Sequence, residues 1–223
     1  MGDAIGDLLP IAVGIAISPF PIVAIVLMLV TPRGRVNGPA FLLGWALGLA
    51  AVGAVVLSLA GGGDASDDGA PATWVSVLKL VLGLLAVLVG VRQFSGRPRG
   101  DAEPAAPGWM RALDTFTPIK ALGAGVALAA VNPKNLLLTL AGAAAIAQTG
   151  MDADEQAVAY AVFALVASLG VGIPVVLALV LGERSREPLD KVKTWLEANN
   201  AVITAVIFVL IGAKLVGDAI SGF

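Results

Sequence analysis

Ile17-Ser18-Pro19-Phe20-Pro21-Ile22 and Val131-Asn132-Pro133-Lys134-Asn135-Leu136 are the stretches that decide the fold. In each, a polar residue and a proline interrupt a long apolar run. Proline removes a backbone donor and cannot continue a helix already under way, whereas a Ser or Asn N-cap followed by Pro at the first helical position starts a new one. Each stretch therefore reads as one helix ending and another beginning. About ten residues of apolar text precede each interruption, roughly half of a ~30 Å hydrocarbon layer at 1.5 Å per residue, so both new starts are expected near a bilayer midplane. Irregular backbone at that depth must be buried in protein or line a water-filled cavity.

The rest of the chain supports a bilayer as solvent. Of 223 residues, 58% are hydrophobic and 13% charged, outside the balance of a water-soluble domain. There is no Cys and no His, which removes disulfides, thiol relays, imidazole bases and the usual zinc, haem and iron-sulfur ligands, so no metal or cofactor is expected. The start carries Asp3 and Asp7 and no basic residue, unlike a cleaved signal peptide, and the first apolar run is read as retained. The net charge of -2 averages loops of opposite sign and argues neither for nor against an anionic partner; no nucleic-acid partner is expected.

Six spans are expected, at about 8–30, 38–60, 74–94, 121–147, 157–181 and 201–220. Basic residues sort to alternate connections: Arg33 and Arg35 after the first span, Arg92, Arg97, Arg99, Arg111 and Lys120 after the third, Arg184, Arg186, Lys191 and Lys193 after the fifth. Asp64, Asp67 and Asp68 follow the second span, and Asp152, Asp154 and Glu155 the fourth. The positive-inside rule then places both termini outside.

The architecture is accordingly read as all-α, with two inverted three-helix repeats at 1–95 and 119–223 and a Pro-rich cytoplasmic linker at 96–118. Leu88-Val89-Gly90-Val91-Arg92 resembles Leu210-Ile211-Gly212-Ala213-Lys214, and Leu47-Gly48-Leu49 resembles Leu169-Gly170-Val171 at the same offset. Spans one and four share the breaks. Three spans per half make the halves inverted.

Opposed spans bring two helix N-termini to the same depth, each with unsatisfied N–H groups and partial positive charge. Lys134 lies in the first turn of the second. A lysine at mid-membrane costs about 2.5–3.5 kcal/mol on insertion scales, and a helix N-terminus offers it no relief. A phosphate, sulfate or carboxylate would offset that cost. The candidate site comprises Lys134 for charge, Asn132 and Asn135 for hydrogen bonds and capping, Ser18 for capping, and Pro19, Pro21 and Pro133 for the unwound geometry. The competing reading is a kinked helix whose lysine reaches an interface. Elsewhere, Gly44 and Gly48 permit close helix contact, within a subunit or between two. Lys214 and Asp218 are spaced to pair, Lys79 is placed near the outer face, and Pro174 reads as a proline tolerated in a packed helix. No carboxylate falls clearly inside a span, which argues against a proton relay.

At Ile17-Ser18-Pro19-Phe20-Pro21-Ile22-Val23-Ala24, Phe41-Leu42-Leu43-Gly44-Trp45, Thr117-Pro118-Ile119-Lys120-Ala121 and Asn132-Pro133-Lys134-Asn135-Leu136 the chain resembles the LysE superfamily of exporters. The likeness is greatest to its GAP branch, the sulfolipid- and glycopeptidolipid-addressing proteins of mycobacteria and relatives. The resemblance implies a non-enzymatic, flippase-like carrier in the cytoplasmic membrane, moving an anionic lipid or glycolipid outward. It also implies a homodimer, with envelope lipid-export machinery as a possible partner. Amino acid exporters of the superfamily commonly carry an acidic residue in an early span, which this chain lacks. Export of a small polar solute and an accessory role in a lipid-export complex remain the alternatives. A third class, acyl transfer with Ser18 as nucleophile and Lys134 as base, is disfavoured because capping already explains Ser18.

Overall fold

The computed structural model describes residues 2–61, 73–95 and 115–221, and among them every regular element is helical. The first break separates α1 (Gly2–Ala16) from α2 (Pro19–Leu29) at 52°, and α3 (Gly34–Gly61) and α4 (Thr73–Ser95) follow. The second separates α5 (Pro118–Ala130) from α6 (Pro133–Ala147) at 62°. Then α7 (Ala153–Leu181) leads through a 3-10 turn, Gly182–Ser185, into α8 (Arg186–Ser221). Most of the expected 96–118 linker, with Arg97, Arg99 and Arg111, lies outside the described residues, as do Asp64, Asp67 and Asp68.

Among the described residues, Gly34–Leu59, Ala153–Val192 and Ala201–Ser221 are each long and apolar enough to cross a membrane, and counting each bent pair as one span gives five. Large apolar side chains sit on both sides of the helices. Phe41, Trp45, Phe163 and Phe208 fill the interior, while Leu43, Leu59, Leu165, Val180 and Leu210 face outward. An apolar exterior of this extent needs hydrocarbon around it. The chain is a membrane protein.

One connection differs from expectation. The last span runs from Ala201 to Ser221, as expected, but the basic stretch before it, read as a loop, is helical from Arg186 onward. Charge there does not mean loop: Lys191 pairs with Glu187 at 2.6 Å, and Thr194 and Asn199 donate to the carbonyls of Asp190 and Trp195, all one helical turn apart. Pro174 leaves α7 one helix. Lys79 is buried, on a helix packed against α8, where Lys214 bonds Asp218 at 2.9 Å and approaches Asp7 at 3.7 Å.

The main packed pairs are α4 with α8, α3 with α5, α1 with α7, α3 with α6, α3 with α7, α1 with α6, α2 with α7, α2 with α8 and α4 with α6. Exchanging α1 to α4 for α5 to α8 leaves every pair of this set but α1 with α6 within it. The α1–α6 contact lacks a counterpart of similar extent. Close approaches follow the same exchange. A Cβ on Gly90 would crowd the Ala205 carbonyl and Val209, and one on Gly212 would crowd the Gly83 carbonyl and Val87. Gly48 sits against Val126 and Ala129 of α5, and Gly170 against Ala16 of α1. Gly44 meets the Leu122 backbone, so the small residues of α3 serve contacts within one subunit.

Candidate functional site

The two breaks share a backbone. Ser18 has φ -67° and ψ 112°, and Asn132 has φ -60° and ψ 119°, the extended geometry that a following proline favours. Each ends one helix and delivers a proline to the first position of the next.

They also meet. The Ser18 hydroxyl donates to Asn135 Oδ1 at 2.7 Å, and both residues are buried. Asn135 Nδ2 in turn donates to the Leu128 carbonyl at 2.9 Å. That carbonyl lies in the last turn of α5, where a helix leaves acceptors without intrahelical partners. One amide thus links the first break, the end of α5 and the start of α6. A buried amide with both ends engaged is held in a single orientation.

Capping differs between the breaks. Asn132 Oδ1 accepts from the Lys134 backbone N–H at 3.1 Å, whereas Ser18 makes no side-chain cap bond. The capping role expected of Ser18 is corrected: its hydroxyl proton goes to Asn135, its oxygen makes no cap bond, and Pro19 and Pro21 leave few donors in the first turn of α2 to be capped. The same prolines, and the Asn132–Lys134 bond, leave the paired N-termini poorer in bare N–H groups than expected. Pro19 and Pro21 are buried, Pro133 is exposed, and Asn132 is half-buried.

The charge rests on Lys134. Its Nζ is buried and, among the described residues, has no hydrogen-bond partner. Trp45 Nε1, Asn37 Oδ1 and Thr139 Oγ1 are in the same condition. Asn37 Nδ2 donates to the Phe116 carbonyl at 2.9 Å, tying the start of α3 to the approach to α5. The sequence reading passed over these three residues, yet signals were present. Thr139 follows Asn135 at helical i, i+4 spacing, and Asn37, Phe41 and Trp45 form one fully buried stripe of α3. Among the described residues no cluster of metal-ligating side chains occurs.

Comparison with curated proteins and with solved structures gave no match. A family model did match, over residues 8–221, which takes in both breaks and all but the first few described residues. The chain belongs to the family described as Sap, sulfolipid-1-addressing protein.

Proposed function

We propose that this protein is a non-enzymatic carrier that moves an anionic lipid or glycolipid toward the outer face of the cytoplasmic membrane, with its substrate site at the two breaks. The observation that carries this reading is the buried Nζ of Lys134, which has no hydrogen-bond partner among the described residues, in the same helix turn as Asn135 of the Ser18–Asn135 junction. A cation in hydrocarbon costs about 2.5–3.5 kcal/mol and is retained where it has work to do on an ion or substrate path. A phosphate or sulfate headgroup supplies both the counter-charge and the acceptors that the ammonium lacks. Family membership supports a lipid as the molecule handled.

The carrier is read as six spans in two inverted repeats. α4, with 23 residues, is about 34 Å long at 1.5 Å per residue, enough for the remaining span. The exchange of packed pairs between α1–α4 and α5–α8, and the equal backbone at the two breaks, support the repeat. Alternating access by rocking one repeat against the other about a midplane site is the transport mode that suits such a structure. Basic residues near the α2–α3 and α7–α8 connections face the cytoplasm in this reading, and both termini are outside. A homodimer, or assembly with other lipid-export components, belongs to the same proposal.

Reconstitution in vesicles with a fluorescent anionic lipid tests it. Wild-type protein should speed passage of that lipid between leaflets, Lys134→Ala should abolish the effect, and Lys134→Arg should keep part of it. Equal rates in wild type and Lys134→Ala would remove the lysine, and this reading, from the mechanism.

A further inference from the structure

We propose a second, bipartite site at the basic end of the bundle that receives one anionic amphiphile from the adjacent leaflet, its headgroup at Arg35 and Arg186 and one acyl chain in a groove formed by α1, α2, α7 and α8. This deepens the carrier reading and rests on it for the direction of loading.

The groove has a volume of about 700 Å³, within the range of sites that hold small ligands. Val13, Ile17, Ile22 and Ile173 form its walls, and Lys191 and Trp195 also line it, on α8. Leu189 lines both this groove and a smaller crevice of about 180 Å³, which Arg35, Glu183 and Arg186 make polar. A charged crevice and an apolar groove that share a wall match the two ends of a lipid.

Dimensions favour a lipid over a partner helix. The α7 wall runs over residues 166–177, about 17 Å at 1.5 Å per residue, roughly half of a ~30 Å hydrocarbon layer. That is the depth of one leaflet. The groove reaches Ile17, the residue before the first break. Arg186 and Lys191 are held by Glu183 and Glu187 in exposed pairs of small net value, which a phosphate or sulfate can replace. Arg35 makes no ion pair among the described residues. A neighbouring groove of about 670 Å³ between α3 and α7, with Leu42, Ala46, Ser168 and Gly172 in its walls, has no charged residue in its lining. It serves as the internal control.

The test reconstitutes the full chain in phosphatidylcholine vesicles doped with a diazirine-tailed phosphatidylglycerol or a diazirine-tailed phosphatidylcholine, and maps photo-adducts by peptide mass spectrometry. The anionic probe should label residues 13–22 and 189–195 about fivefold more than the zwitterionic one, as expected for a basic residue near the headgroup plane. Labelling at Leu42 and Ala46 should show no such preference. The double variant Arg35→Gln, Arg186→Gln should lose the preference with its melting temperature unchanged, both side chains being exposed. Val13→Trp, which narrows the groove from a half-exposed position, should lower labelling by both probes. Equal labelling of the groove by the two probes, or peptide crosslinks between subunits there in place of lipid adducts, overturns the proposal. Lys134→Ala separates the two readings. If the preference is missing while the wild type still moves anionic lipid, the loading site fails alone; if it is present but no lipid moves, the carrier reading fails alone.

Discussion

The Ser18 hydroxyl and Asn135 Oδ1 lie 2.7 Å apart in a buried hydrogen bond that joins residues 117 positions apart in the chain. Removing either partner strands the other's buried polar atom, whereas removing both leaves only the Leu128 carbonyl, which already loses its donor when Asn135 alone is replaced. Ser18→Ala and Asn135→Leu should each lower stability, while the double variant should lose less than the sum. Hydrogen bonds inside membrane proteins measured by double-mutant cycles are worth about 0.6 kcal/mol, at most ~1.7. Thermal unfolding in a mild detergent reads the coupling, and strict additivity would show that the two breaks are independent.

Lys134→Met is expected to raise stability and stop transport together. Methionine fills a similar volume without charge, and the Nζ it replaces has no hydrogen-bond partner among the described residues. Relief of an uncompensated buried charge should be worth about 1–3 kcal/mol. A gain in melting temperature with loss of lipid movement is the pattern of a residue kept for function at a cost in stability. A fall in melting temperature would assign Lys134 a structural partner instead.

The breaks and most span limits were legible because proline chemistry and the length of apolar runs are local properties. The glycines matched between the two halves in sequence, Gly48 with Gly170 and Gly90 with Gly212, each stand at a close helix approach where a side chain does not fit. Other features depend on what packs across the bundle. No pattern within span one indicates that the Ser18 hydroxyl will choose Asn135 over its own helix. The first three turns of α8 read as loop because charge outweighed their i, i+4 pairing. The groove beside α7 is invisible in sequence, since its walls come from two helix pairs, at residues 13–22 and 166–195, that are distant from each other along the chain.

Gly170 and Gly172 should respond oppositely to alanine although they are two positions apart. A Cβ on Gly170 would overlap the Ala16 carbonyl, next to the first break, whereas one on Gly172 finds its nearest atom, Leu42 Cδ1, at 3.8 Å. Overpacking costs about 1–3 kcal/mol, and an unobstructed lipid-facing change stays within ~0.5. Gly170→Ala should therefore melt lower and Gly172→Ala should not. Equal melting temperatures would contradict the α1–α7 contact.

The proposed orientation predicts that a reporter fused after Phe223 is active only when it works outside the cytoplasm. Arg184 and Arg186 precede the last span and should hold that end of α8 inside. A dual reporter, with one half active in each compartment, makes the measurement. Cytoplasmic activity at the C-terminus would remove the six-span arrangement.

The last prediction is that the two breaks must move relative to each other for the carrier to work. The Ser18–Asn135 contact belongs to one arrangement of the bundle, and alternating access requires at least one other. Because the chain has no native Cys, cysteines at positions 18 and 135 can be placed without background. A disulfide needs Cα atoms within about 7 Å, so a short, cleavable bifunctional linker is the fairer probe. A pair at Ser18 and Asp218 is the distant control. The 18/135 pair should crosslink within one chain, the linked protein should stop moving lipid, and cleavage of the linker should restore movement. Transport that continues in the linked protein would mean that the breaks form a static strut, and the moving part of the carrier would have to be sought elsewhere.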